Sequence, residues 1–139
     1  MKDLQKSIQQ FPSDLKALDQ VLSWFDQLTH PPIPTIVWLQ CKLVIAEAFT
    51  NAVRHAHKNL PTSVPIEIEV SLLSHCLEMR IWDGGPPFDL EARLQAPSLL
   101  PDAQASGGRG LAIMQKIADK LTYRRTDDNR NCLLIVKFY

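Results

Sequence analysis

The stretch Glu47-Ala48-Phe49-Thr50-Asn51-Ala52-Val53-Arg54-His55 lies within a strongly apolar segment of this chain. Apolar residues around it recur at three- and four-residue spacing, which predicts a helix. At 100° per residue, Glu47, Asn51 and Arg54 share one stripe of that helix, and the side chain of His55 lies beside the stripe. A carboxylate, a carboxamide and a cation arranged in this way can line a ligand cleft. The alternative interpretation is a solvated helix face.

A second polar motif follows the next apolar strand, in Ile81-Trp82-Asp83-Gly84-Gly85-Pro86-Pro87-Phe88-Asp89. Asp83 stands at the end of a predicted buried strand, and two glycines come directly after it. Glycine lets the backbone bend and approach another group closely, so a flat ligand could lie against this turn. The Asp83 carboxylate could then accept a hydrogen bond from an exocyclic amine. The alternative is an ordinary strand-end turn, where Asp-Gly is common.

A third motif, Ser106-Gly107-Gly108-Arg109-Gly110-Leu111, precedes another predicted helix. A glycine-rich loop that opens a helix presents free N–H groups and the positive end of the helix dipole, which favours phosphate binding. Arg109 adds a cation. The motif fits neither the dinucleotide-binding fingerprint nor the P-loop pattern.

The composition supports one small globular domain with a single ligand site. The chain has 139 residues and only five glycines, all in the second and third motifs, whereas an average chain of this length would contain about ten. Fifteen basic and fifteen acidic residues leave no net charge, which argues against direct nucleic-acid binding. No apolar run is long enough to suggest a membrane span. Three widely spaced cysteines predict a reducing, cytoplasmic location rather than a disulfide framework.

The remaining patterns predict the order of the elements. An edge strand over residues 2–10 is followed by an amphipathic helix of about four turns with Ser13 as its N-cap, and by an apolar helix from about Pro34 to Ala56. Two alternating strands form a hairpin before a long aperiodic loop. A third helix then runs from Leu111 to Leu121, before a closing hairpin of strands at 122–126 and 131–138. We therefore predict one domain over residues 1–139, an α+β two-layer sandwich. Its mixed, mostly antiparallel sheet is covered on one face by about three helices.

Taken together and in this order, the three motifs resemble the N box, G1 box and G2 box of the GHKL, or Bergerat-fold, ATP-binding superfamily. Within that superfamily, E-A-x-x-N-A-x-x-H, D-x-G-x-P-F-D and G-G-R-G-L are most similar to RsbW-like anti-sigma factor serine/threonine-protein kinases. The resemblance covers residues 47–121. It implies a histidine-kinase-like ATPase fold with ATP and Mg²⁺ as ligands.

The resemblance also implies roles for individual residues. Glu47 would be the general base toward a substrate hydroxyl, and Asn51 would coordinate Mg²⁺. Asp83 would bind the adenine amino group, with Gly85 allowing close approach, and residues 88–106 would form a lid over ATP. The other nucleotide-binding candidates are Arg54, His55, Phe88, Gly107, Gly108, Arg109, Gly110 and Leu111.

The implied function is that of an anti-sigma factor kinase, which sequesters a sigma factor and phosphorylates a STAS-type anti-sigma factor antagonist. A homodimer is expected by the same resemblance. Ala105 and Ser106 stand where some of these kinases carry an arginine that reaches the γ-phosphate. An alternative is therefore a nucleotide-binding partner-switching module with little or no kinase activity. A histidine kinase catalytic domain is a weaker alternative, because the chain includes no phosphoacceptor helix.

Overall fold

The computed structural model describes residues 3–28, 33–87 and 109–139. The lid predicted at residues 88–106, together with Phe88, Gly107 and Gly108, lies outside the described residues. Within the described residues, five strands form one sheet in the order β1-β2-β3-β5-β4, and every neighbouring pair is antiparallel. The predicted α+β sandwich is confirmed.

The strands follow one another along the chain in the predicted order. They are β1 (Asp3–Phe11), β2 (Ile66–Leu73), β3 (Cys76–Asp83), β4 (Lys120–Arg125) and β5 (Asn131–Phe138). In β3, the residues at alternate positions from Leu77 to Asp83 are buried and face the helices, whereas Trp82 points to the other face. The guanidinium of Arg130 lies 5.5 Å from the Trp82 ring centroid there. Asn129 turns the closing hairpin with a φ of 64°, a conformation that asparagine tolerates well.

Three α-helices cover the inner face of the sheet. They are α1 (Leu18–Asp26), α2 (Thr35–Asn51) and α3 (Arg109–Ile117). Helix α2 packs deepest, with Cys41, Val44, Ile45 and Phe49 completely buried. The stacked rings of Phe25 and Trp38, with centroids 4.2 Å apart, join α1 to α2.

The helix boundaries differ from the prediction in two places. Ser13 is not the N-cap; Asp14 accepts a hydrogen bond from the Lys16 amide at 2.9 Å and caps a short 3₁₀ turn, Leu15–Ala17, that precedes α1. The third helix ends at Ile117 rather than Leu121. Leu121 pairs with Ile135 across the sheet, and this strand pairing outweighs the helical spacing. All three cysteines are buried and free, as predicted.

The segment after α2 is a π-turn (Ala52–Ala56), so that the continuous helical stretch runs from Thr35 to Ala56. By length and composition alone this stretch could cross a membrane. Much of it is core here, because α2 packs against the sheet and both other helices. A π-turn widens the helix and often accompanies a functional site. Here it changes the direction of the side chains that follow Asn51.

Candidate functional site

A cavity of about 260 Å³ opens between the end of α2, the sheet and α3. Its volume lies just below the usual range for small-molecule sites, roughly 300–1,000 Å³. Apolar side chains form most of its wall, and polar groups occur mainly at its ends. The described lining residues are Ala48, Asn51, Ala52, His55, Ala56, Lys58, Ile81, Asp83, Pro86, Leu111, Met114, Tyr123 and Leu133.

Asp83 provides the main acceptor at one end of the cavity. Its side chain is only 4% exposed. Oδ1 accepts hydrogen bonds from the Gly85 amide at 2.9 Å and from Asn131 Nδ2 at 2.8 Å, while Oδ2 accepts one from the Tyr123 hydroxyl at 3.3 Å. Burial, followed by the charge of Asp83, raises the pKa of Tyr123, so this hydroxyl remains a donor. The carboxylate is held in place by three donors.

Gly85 packs against the π-turn at the same end. A Cβ added to Gly85 would lie 2.2 Å from the carbonyl oxygen of Ala56. Such a distance is impossible for a real side chain, so glycine is required for the turn to approach the helix. The sequence predicted a close approach here, and the described partner is the protein's own backbone.

Glu47 and Asn51 lie beneath the first turn of α3, and Asn51 lines the described part of the cavity whereas Glu47 does not. A methyl group at Gly110 would lie 2.6 Å from Glu47 Oε2 and 3.3 Å from Asn51 Nδ2. Asn51 Nδ2 is buried, and no described residue accepts a hydrogen bond from it. The N-terminus of a helix attracts anions through its free N–H groups and its dipole. A carboxylate, an amide with unused hydrogen-bonding capacity and a helix N-terminus therefore meet here.

His57 supports the Asp83 turn from the helix side. Its ring is 3% exposed, and Nε2 accepts a hydrogen bond of 2.8 Å from the Gly84 amide. Since Nε2 is the acceptor, the neutral ring carries its proton on Nδ1. Burial lowers the pKa of His57, and the nearby charge of Asp83 only partly opposes that effect. The neutral form is the one that fits the folded protein.

We expect this histidine to make the fold less stable in acid. Because its pKa is lower in the folded than in the unfolded state, its contribution is present above the unfolded pKa of about 6.5 and is lost as pH falls toward the folded pKa. Urea unfolding at pH 7.5 and 5.5 should therefore show a larger loss of stability for the native protein than for His57→Gln, which cannot titrate. Equal losses would contradict this assignment.

The structure brings together most of the predicted site residues that it describes. Glu47 and Asn51 lie under Gly110, and His55, Asp83 and Leu111 line the cavity. The remaining described candidates are Arg54 and Arg109. Arg54 is exposed and does not line the described part of the cavity, because the π-turn replaces the regular helical spacing used to place it. Arg109 begins α3.

Several residues at the site were missed from the sequence. Tyr123 and Asn131 bind Asp83, and Lys58 lines the cavity. Arg125 donates a hydrogen bond to the Gly85 carbonyl at 2.8 Å. The only signal was a buried polar residue, Asn131, at the start of an apolar strand. Its partner could not be identified without the pairing of β3 with β5.

Comparison with known proteins agrees with this geometry. The profile of the histidine kinase-like ATPase domain matches residues 11–137, nearly the entire chain. The chain belongs to this family. The predicted GHKL membership is confirmed.

Curated relatives of this ATPase domain include two named serine-protein kinase RsbW. The relative from Bacillus subtilis is 32% identical over 85 residues, covering 58% of this chain and 52% of the relative. The relative from Listeria innocua is 36% identical over 89 residues, covering 59% and 56%. The chain thus spans about half the length of the curated relatives it matches.

Proposed function

We propose that this protein is an ATP-dependent serine/threonine protein kinase that acts as an anti-sigma factor. The observation that carries the proposal is that one cavity is lined by both Asp83, a fixed carboxylate acceptor, and Asn51. Glu47 lies beside Asn51 under Gly110, in the first turn of α3. This arrangement suits a ligand with an amino-bearing ring and an anionic tail. The similarity to serine-protein kinases adds the reaction class.

In this proposal different residues of the chain bind adenine, bind phosphate and accept the proton during phosphoryl transfer. Asp83 accepts a hydrogen bond from the adenine amino group, and the N–H groups at the start of α3 bind phosphate oxygens. Glu47 takes the proton from the substrate hydroxyl. At the same time the hydroxyl oxygen bonds to the γ-phosphorus, and the bond between that phosphorus and the ADP oxygen breaks. The enzyme therefore contributes mainly position and charge.

Mg²⁺ fits the residues at the phosphate end. Magnesium prefers one or two protein oxygens together with phosphates and waters. Asn51 provides a side-chain amide, whose oxygen is the atom able to ligate the ion, and the Glu47 carboxylate is close to the same glycine. Asn51 would hold the ion, which when bound neutralises charge on the phosphates.

The proposed protein partners are a STAS-type antagonist, which receives the phosphoryl group, and a sigma factor, which is sequestered. The absence of charge excess and the free, buried cysteines fit a cytoplasmic regulator. The second candidate is a nucleotide-binding partner-switching module with little catalysis. It is favoured by Ala105 and Ser106, which stand where some related kinases carry an arginine.

The test is transfer of label from γ-labelled ATP to serine or threonine of a cognate STAS-type antagonist. We expect transfer by the native protein and loss of both transfer and Mg·ATP binding in Asn51→Ala, because the proposed magnesium ligand is removed. Asn59→Ala, the same substitution at an exposed turn position, serves as the matched control and should behave like the native protein. Normal nucleotide binding without any labelled antagonist would support the partner-switching module instead.

A further inference from the structure

Asn131 is a buried polar residue on the face of β5 that packs against the hydrophobic core. It begins β5, is 1% exposed and lies directly opposite Asp83 in the register of β3 and β5. Leu133 and Ile135, the next residues on the same face, belong to the hydrophobic core. A buried amide at such a position costs free energy unless its hydrogen bonds are satisfied.

The Asn131 amide group is used to hold both Asp83 and the turn after it. Nδ2 lies 2.8 Å from Asp83 Oδ1 and 3.1 Å from each of the carbonyl oxygens of Gly85 and Pro86. An amide nitrogen has two hydrogens. One can therefore bind the carboxylate while the two carbonyls share the other.

Arg125 fixes which way the Asn131 amide points. Its Nη1 donates to Asn131 Oδ1 at 3.2 Å and to the Gly85 carbonyl at 2.8 Å. Because a guanidinium only donates, the atom of Asn131 that faces it must be the oxygen. The nitrogen is then directed at Asp83, so the amide orientation is set by the chemistry of its neighbours.

Because of these contacts, the two oxygens of the Asp83 carboxylate accept different numbers of hydrogen bonds. Each oxygen can accept about two hydrogen bonds. Oδ1 already accepts from the Gly85 amide and from Asn131, whereas Oδ2 accepts from Tyr123 alone among the contacts found in the described residues. The remaining acceptor position is on Oδ2, the oxygen that lies on the side of the cavity-lining Tyr123.

We propose that Asn131 is a positioning residue for ligand selection: it occupies Oδ1 of Asp83 and orients the carboxylate so that Oδ2 receives a single N–H donor from the ligand. The inference rests on the proposed function, in which that donor is the 6-amino group of adenine. Asn131 acts through Asp83 and does not itself touch the nucleotide. Its removal should therefore weaken selection for the amino group more than it weakens nucleotide binding in general.

The experiment compares ATP with purine riboside 5′-triphosphate, which lacks the 6-amino group, by calorimetric titration. The native protein should prefer ATP by about tenfold to a hundredfold, as expected for one hydrogen bond to a carboxylate. In Asn131→Ala we expect the preference to fall to about threefold or less, with the affinity for the analogue changed by less than about threefold. Asp127→Asn, in the exposed hairpin turn, is the control and should retain the full preference.

A second variant protects the test against misfolding of the alanine protein. Asn131→Asp keeps the shape of the side chain but puts a second carboxylate against Asp83, so the preference should be lost at pH 7. Two adjacent carboxylates hold a proton at higher pH than one alone. Lowering the pH should therefore restore a donor to Oδ1 and part of the preference in this variant only.

The outcomes test separately the role of Asp83 in binding adenine and the role of Asn131 in positioning Asp83. A native protein that binds no ATP, or binds both nucleotides equally, refutes the assignment of Asp83 to the adenine amino group and with it the proposed function. A native preference that survives in Asn131→Ala, or equal weakening of both nucleotides by that substitution, refutes only the positioning role of Asn131.

Discussion

Replacing Glu47 by glutamine is expected to reduce phosphoryl transfer by at least about 100-fold, since general base catalysis typically contributes a factor of 10²–10⁴. Glutamine keeps the size of the side chain but cannot accept a proton from a substrate hydroxyl. The carboxylate lies under Gly110 and is not among the described residues that line the cavity with Asp83. ATP affinity should therefore stay within about threefold of the native value.

The measurement is the single-turnover rate with γ-labelled ATP and the antagonist, alongside the dissociation constant for ATP. Glu78→Gln is the matched control, because Glu78 lies on β3 among the residues that face away from the helices and is paired with Arg80 at 3.1 Å. A Glu47→Gln protein that transfers label at the native rate would remove Glu47 from the reaction. A protein that no longer binds ATP would instead place Glu47 in the binding site.

Gly85→Ala is expected to lower the free energy of unfolding by about 3 kcal/mol or more, the upper end of the range for overpacking. The added methyl carbon would lie 2.2 Å from the Ala56 carbonyl oxygen and 2.8 Å from the carbonyl carbon. Both atoms belong to the backbone of the π-turn and cannot rotate away. Relief requires the turn after Asp83 to move, which would also displace the acceptor for adenine and weaken ATP binding.

Gly84→Ala is a close control for this substitution. A methyl group there would meet Val64 Cγ1 at 3.1 Å, the end of a side chain, and the next atom is at 3.9 Å. We expect stability within about 1 kcal/mol of native, because the small steric cost is offset by lower entropy of the unfolded chain. Urea unfolding of the two variants checks the difference. Similar losses at both positions would show that turn flexibility, and not contact with the π-turn, explains the need for glycine.

The sequence allowed most of the fold to be predicted because its elements have clear local periods. Alternation in β3 and in the first half of β2 follows from one face being buried, and three- and four-residue spacing identifies α2. The predictions failed where local pattern and tertiary contact disagree. Leu121 continues the helical spacing of α3, yet pairing with Ile135 makes it part of β4. The cap was displaced by one residue because Asp14 and Ser13 are both good N-caps.

In the candidate site, too, some residues follow from local sequence pattern and others only from tertiary contacts. Glu47, Asn51 and Asp83 could be proposed as site residues because each belongs to a short motif whose residue types suit the chemistry within a few positions. Arg54 could not be placed correctly relative to them, since the π-turn alters the rotation per residue only once the helix is packed. Nothing in the sequence indicated that Arg125 belongs to the site. Its contact with Gly85 spans 40 residues of sequence.

The sequence by itself determined the family, the order of the elements and the three motifs, because periodicity and motif spacing are local properties of the chain. Only the tertiary structure decided how the site is supported. The register of β3 with β5 places Asn131 opposite Asp83, and the packing of the turn against the π-turn makes glycine necessary at position 85. These contacts join residues far apart in sequence, and hydrogen bonds of this kind depend on distances that no local pattern encodes.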